Sequence, residues 1–420
     1  MKNKTLYCSV YTALMASVYL LFFWTRGYSA ITLPKYILFC ILTGAFIIVM
    51  SLSGGIPGRL TLTEAFVVAY WLFSLISALL SAWKEDAFAG GSRYEGVLTI
   101  SMYAAVFLMI SRHAAPSRAV GVISAVCVGI FCVLCFVQLG GANPFRLYPE
   151  GLNWYDGNKS YSGQYIGTVG NAGLAAALLC MTAAFFAVLA LRSTAKLYLI
   201  PAVMSAAVLI FIRVDAGLAG LFAGGLLCLH CVFPKHRRVL LAAAALVLLA
   251  AAALIYFHDF GGTLGQAHEL MHGRADDSFG SGRIFIWRNV IPLIGERPLF
   301  GGGPDTLSRR MTVYFSRGDI IRSIDAAHNE YLNILVNQGI FALTAYLSAV
   351  MTALVNWYKN KSTAAAAAGA AVLCYCVQAF FGISMFIVTI FFWIALAYLE
   401  RENRSAGLSK PLFQKADRIA

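Results

Sequence analysis

The chain has 420 residues, 60% of them hydrophobic, and a mean hydropathy of +0.74. So many long apolar runs exclude a soluble globular protein and predict an all-α, polytopic integral membrane protein. The net charge of +13 reads as a basic collar on the cytoplasmic side of a membrane, and no nucleic acid partner is expected.

About twelve transmembrane helices are predicted, in a single membrane domain covering 1–420. They are Leu6–Trp24, Tyr36–Leu52, Glu64–Trp83, Val97–Ser111, Ala119–Leu139, Val169–Leu191, Leu197–Ile212, Ala216–Phe233, Val239–Phe257, Ile340–Tyr358, Ala364–Phe381 and Ile383–Leu399. Lys2 and Lys4 precede the first without a small-residue cleavage site, which suggests an uncleaved helix. Placing both termini in the cytoplasm gathers Arg59, Arg112, Arg118, Arg192, Lys235 and Lys359 into inside loops, with a basic tail at 400–420. The two long loops, 140–168 and 258–327, then face outward.

Several stretches carry more than hydropathy. Thr61-Leu-Thr-Glu64 has the pattern of a capping box opening the third span. Gly91-Ser-Arg93-Tyr-Glu95-Gly96 follows that span. The 140–168 loop holds Trp154, Tyr155, Tyr161 and Tyr165, which suit either sugar rings or a membrane-interface belt. It leads into Thr168-Val-Gly170-Asn171. Arg213 and Asp215 sit between the seventh and eighth spans, paired with each other or serving a ligand. All ten cysteines fall in apolar spans, so no disulfide framework is indicated. Cys228-Leu-His-Cys231 reads as helix packing rather than a metal pair.

The 258–327 loop carries eight arginines, no lysine and eight carboxylates. Arginine's planar fork suits phosphate, and ion pairing within the loop is the competing reading. On a helical wheel of Ile284–Ile294, Trp287, Val290, Ile291 and Ile294 form an apolar stripe centred on Arg283, with Arg288 on the polar flank. Such a helix lies along a membrane surface and aims Arg283 at the lipid boundary. His328 follows Asp325, which can cap the next helix and so put His328 in its first turn. A neutral imidazole there can take a proton from a sugar hydroxyl. His268-Glu269-Leu-Met-His272 matches a zinc-protease pattern, but glycines on both sides leave a short helix and no third ligand is evident, so no metal is assigned.

Arg283, Trp287, Pro298, Gly301, Gly303, His328, Asn329, Tyr331 and Gly339, in this order and context, resemble the signature of the O-antigen ligase and polymerase family. The segment from Arg93 to Thr99 is similar to a second family element, R-x-E-G-L-L-T. Thr168, Gly170 and Asn171 match a third, S-T-x-G-N-P-N, without its Pro-Asn pair. The family's S-R-G segment is not matched, its arginine being displaced here to Arg213. The resemblance implies a glycosyltransferase that moves a glycan from undecaprenyl diphosphate to an acceptor hydroxyl, with inversion, on the outer side of the cytoplasmic membrane. It implies no cofactor and no metal. The partners are the lipid-linked donor, a glycan or lipid-glycan acceptor, and membrane lipids. His328 would be catalytic, and Arg283, Arg288 and Arg213 would hold the diphosphate. Arg93, Asn171, Asn329 and Tyr331 would make further contacts. A repeat-unit polymerase is the alternative within the family. Outside it stands a transporter or flippase of lipid-linked sugars, which predicts related halves that the sequence does not display.

Overall fold

The computed structural model describes residues 2–24, 31–54, 58–147, 153–154, 164–314 and 321–412. Tyr155, Tyr161, Arg317 and the last eight residues of the tail fall outside them, and at Arg322 only the backbone is described.

The first element, α1 (Lys2–Leu14), runs on as a π turn, Met15–Tyr19. After it come α2 (Thr32–Leu52), α3 (Leu62–Leu79), the short α4 (Lys84–Ala89), α5 (Val97–His113) and α6 (Arg118–Leu139). A two-residue hairpin, β1 (Tyr165–Ile166) and β2 (Gly170–Asn171), leads into α7 (Ala172–Arg192). Next are α8 (Leu199–Ile212), α9 (Asp215–Val232) and α10 (Arg237–Phe257). The long loop holds α11 (Gly262–Met271), α12 (Phe279–Val290), α13 (Pro292–Glu296) and α14 (Leu307–Arg310). It also holds the antiparallel pair β3 (Thr312–Tyr314) and β4 (Ile321–Ser323). The chain closes with α15 (Glu330–Lys359), α16 (Thr363–Ala379) and α17 (Phe386–Ser405).

Each of the twelve expected spans lies on a helix. Seven helices among the described residues, α2, α3, α6, α7, α9, α10 and α15, are long and apolar enough to cross a membrane, and α5, α8 and α16 are apolar but shorter. The fold is an all-α membrane bundle.

Alanine-rich α7 is buried nearly all round, packed by α8, α9 and α16. Small residues permit this closeness. A Cβ at Gly220 or Gly224 of α9 would come within 2.8 Å of the Cys374 carbonyl or 2.7 Å of its Sγ on α16. Helix α10 is the opposite case, with only Ala244 buried. All ten cysteines are free thiols.

The two ends of the bundle are tied differently. At the end that carries the start of α1, the capping box forms: Thr61 N donates to Glu64 Oε2 at 2.9 Å and Glu64 N donates to Thr61 Oγ1 at 3.2 Å. The same buried carboxylate receives Arg112 at 3.0 Å and Arg404 at 2.6 Å, which joins α3, α5 and α17. Near the opposite end, fully buried Lys35 donates to the carbonyls of Leu20, Phe22 and Thr168, at 2.9 Å for the last.

Helix α15 is broken at Gly339, where φ is +82 and ψ 178, a region essentially reserved for glycine. The turn 298–303 fits into the break. Ile340 N donates to the Pro298 carbonyl at 3.0 Å, Gly302 N to Val336 at 3.3 Å, and Gly303 N to Asn337 at 2.7 Å. A Cβ on Gly339 would lie 2.2 Å from the Leu299 carbonyl oxygen. A small apolar cluster of Val290, Leu307, Met311, Ile324, Ala327 and Val336 seats the rest of the loop on α15.

Candidate functional site

Four segments far apart in sequence meet at one end of the bundle. The first is the 90–96 loop before α5. It is held by Asp305, whose carboxylate accepts from Ser92 N at 3.1 Å, Ser92 Oγ at 3.0 Å, Arg93 N at 2.8 Å and Glu95 N at 3.3 Å. Asp305 is buried. Burial pushes its carboxyl pKa up, against the pull of these four donors.

The second segment, 324–329, delivers His328. The cap of α15 is Asn329, whose side chain accepts from Leu332 N at 3.0 Å. Asp325 does not cap, contrary to the sequence expectation, because it is committed to Arg93 at 2.9 Å. His328 therefore stands before the helix rather than in its first turn, in a left-handed conformation with φ +50. Neither imidazole nitrogen has a hydrogen-bond partner among the described residues. Its pKa is lowered to about 4, first by burial, then by the Arg93 and Arg283 guanidiniums, with Asp325 opposing. The imidazole is neutral at neutral pH.

The third segment is α12. Its helical part starts after three successive left-handed residues, Gly280, Ser281 and Gly282, a path that two glycines make accessible. Pro292 ends it, so the wheel drawn through Ile294 is interrupted between α12 and α13. Arg283 donates through Nε (3.1 Å) and Nη2 (2.8 Å) to the Phe381 carbonyl, and through Nη1 to the Gly280 carbonyl at 2.5 Å. Of about five guanidinium donors, roughly two remain for a ligand. Burial lowers this guanidinium's pKa while Asp215 pushes it back; arginine remains charged regardless. The Phe381 carbonyl belongs to the fourth segment, the turn between α16 and α17.

Arg93 completes the cleft. Its Nη2 reaches Asp325, while its buried Nε–H has no acceptor among the described residues. A buried donor left open is costly, and an ordered water or a ligand atom satisfies it. Beside it, Glu95 accepts from the Tyr103 hydroxyl at 2.8 Å, and burial holds its pKa well above the usual carboxylate range.

The other expected residues lie elsewhere or serve the backbone. Arg288 is on the exposed flank of α12, 2.7 Å from Asp277. Arg213 ends α8 in a left-handed conformation and is exposed, with no ion pair among the described residues. The expected Arg213–Asp215 pair does not form; Asp215 accepts from the Thr263 hydroxyl at 2.8 Å instead. Asn171 caps α7, accepting from Gly173 N at 2.7 Å. The Tyr331 hydroxyl donates to the Cys376 carbonyl at 2.6 Å. Several loop arginines are tied internally: Arg274 to Glu269, Arg309 to Asp86, Arg297 to the Leu80 carbonyl, and Arg310 to the Val336 and Leu293 carbonyls.

The rings of His268 and His272 lie 4.3 Å apart, tilted by 38°. Each Nδ1 is bonded to a backbone carbonyl, and Glu269 is held by Arg274. Among the described residues no group of three metal-binding side chains forms.

Sequence reasoning passed over Asp305, Glu95 and Lys35. The Pro304-Asp305 pair after three glycines was the available signal for the first, and a lysine at the head of an apolar run for the last.

No curated protein matches the chain. Residues 200–347 match the family model described as O-Antigen ligase. That range takes in Arg283, the 298–303 turn, His328 and the break at Gly339, and leaves out the Arg93 loop. Over residues 200–347 the chain is thus similar to the O-antigen ligase family.

Proposed function

We propose that this protein transfers a glycan from undecaprenyl diphosphate to an acceptor hydroxyl, in the cleft framed by Arg93, Arg283 and His328, on the outer side of the cytoplasmic membrane. The observation that carries the reading is that two guanidiniums, from the 90–96 loop and from α12, bear on one imidazole that has no hydrogen-bond partner among the described residues. Two fixed cations suit a diphosphate, whose charge grows as it leaves. An acceptor oxygen attacks the anomeric carbon from the face opposite the diphosphate. The new glycosidic bond forms as the bond to the diphosphate oxygen breaks, and the hydroxyl proton passes to His328.

The arginines also regulate the base. Burial first, and these guanidiniums second, suppress protonation of His328; a bound diphosphate offsets the guanidinium charge and lifts the imidazole's basicity when a base is needed. Arg213, exposed at the end of α8, is the weakest of the candidate diphosphate ligands, since no contact joins it to His328 or Arg283 among the described residues. Arg288, already paired, contributes less.

The test is transfer by purified protein in vesicles, using a lipid-linked glycan donor and separate acceptors. His328→Ala lowers the rate about 100-fold or more if the imidazole handles the proton. Transfer at the wild-type rate, with donor movement across the bilayer abolished, would favour a flippase. Extension of one lipid-linked repeat by another marks a polymerase, and transfer to an unlike acceptor marks a ligase.

A further inference from the structure

The end of the bundle away from the cleft holds a large cavity that the proposed reaction does not use. It lies between α1, α6, α7, α16 and α17 and measures about 800 Å³, within the roughly 300–1,000 Å³ of ligand-holding cavities. Its wall is apolar, formed by side chains such as Phe185, Phe186, Leu189, Phe391 and Ile394. Its rim is polar, with Ser117, Arg118, Ser193, Thr194 and Thr363. Along α6 it runs from Arg118 to Val128, about 15 Å, and along α7 from Ser193 to Leu178, about 22 Å. These depths are about half to three-quarters of a ~30 Å hydrocarbon core. On the first helix the cavity reaches inward as far as Leu20, so it is shaped for a long chain that enters from the Arg118 end.

The rim has one sign of charge to offer. Arg118 is exposed and has no hydrogen bond or ion pair among the described residues. It stands in the first turn of α6, behind the N-cap Ser117, where the helix dipole adds positive potential. No carboxylate lines the cavity, and the acid that meets its rim, Glu402, is already bonded to the Ser362 hydroxyl.

We propose that this cavity binds one chain of an anionic glycerophospholipid, with the phosphate held at Arg118 and the amino end of α6. The apolar wall rejects a polar solute, and the cationic rim prefers an anionic head group to a zwitterionic one. The site is separate from the cleft and shares no residue with it.

The experiment uses the full-length protein, purified and stripped of lipid. It is titrated with phosphatidylglycerol or with phosphatidylcholine of identical chains, and Tm is followed. Phosphatidylglycerol raises Tm at the lower concentration, and inorganic phosphate alone has no effect. Arg118→Glu, a surface change, raises the half-saturating concentration of phosphatidylglycerol about tenfold, the order expected for reversing one basic charge beside an anionic head group. Ala395→Phe fills the cavity from α17 and removes the response; Ser124→Phe does the same from α6. Equal responses to the two lipids overturn the proposal. So does a phosphatidylglycerol response that survives either filled cavity, or a phosphate response equal to the lipid's.

Discussion

Arg93 and Asp325, 232 positions apart, meet at 2.9 Å and join the loop before α5 to the segment that delivers His328. The pair is half-sheltered, with side-chain exposures of 16% and 39%, so it acts less as a stabiliser than as a fastener for the cleft. Arg93→Ala is expected to lower kcat about 100-fold, the scale of losing one preorganised charge, with little change in Tm. Asp325→Asn costs less, because Arg93 keeps its backbone anchorage to Asp305. Full turnover in purified Arg93→Ala would remove Arg93 from the site.

The depressed pKa of His328 gives a split pH profile. Below about pH 4 the free protein's imidazole is protonated; above it, neutral. Because kcat/KM reports the free enzyme and kcat the loaded one, kcat/KM stays level from pH 7 to about 5 while kcat begins to fall at higher pH. Arg93→Gln brings the kcat/KM limb upward. For stability the sign is the same. The unfolded chain binds this proton first, near pH 6.5, so the contribution of His328 is complete above that value and is lost as pH falls toward about 4. Two superimposable pH profiles would count against charge offset by the donor.

Asp305→Ala strands three backbone N–H groups of the 90–96 loop. An unfolding loss of about 3 kcal/mol is expected, with reduced activity because Arg93 loses its register. Thermal unfolding beside Asp305→Asn, which retains part of the acceptor capacity, separates the two effects.

Gly339→Ala combines a glycine-only conformation with a contact at 2.2 Å to fixed backbone. A loss above about 3 kcal/mol is expected to show as a collapse of folded yield in size-exclusion profiles of membrane extracts. Normal yield would mean that the turn 298–303 does not occupy the break.

Glu64→Gln tests the other end. It leaves Arg112, only 3% exposed, without its carboxylate, a change that costs about 3–5 kcal/mol when a buried pair is halved. The folded fraction falls, while the pH profile of what remains matches the wild type.

The all-α membrane bundle was legible, though not a count of twelve spans, because hydropathy and length dominate in a membrane, and the capping box because its chemistry is local. A motif singled out Arg283 and His328. That Arg93 arrives near His328 from a different loop was not legible, since it depends on the pair it forms with Asp325. Asp325 shows the limit well: local spacing made it a cap, and a partner at position 93 claimed it. The arginine-rich loop misled in a similar way, because guanidiniums that suit phosphate also suit carbonyls, and Arg297 and Arg310 spend their donors on backbone oxygens.

The break in α15 has a practical corollary for domain exchange. Its freed peptide groups pair with the 298–303 turn, with Ser77 and Arg310 adding donors to the Asn337 and Val336 carbonyls, so the stretch 298–340 must travel as one inherited piece. A chimera cut between 304 and 338 would join a turn to a foreign groove and leave peptide groups facing hydrocarbon. Crossovers placed before Pro298 and after Ile340 keep that seal whole.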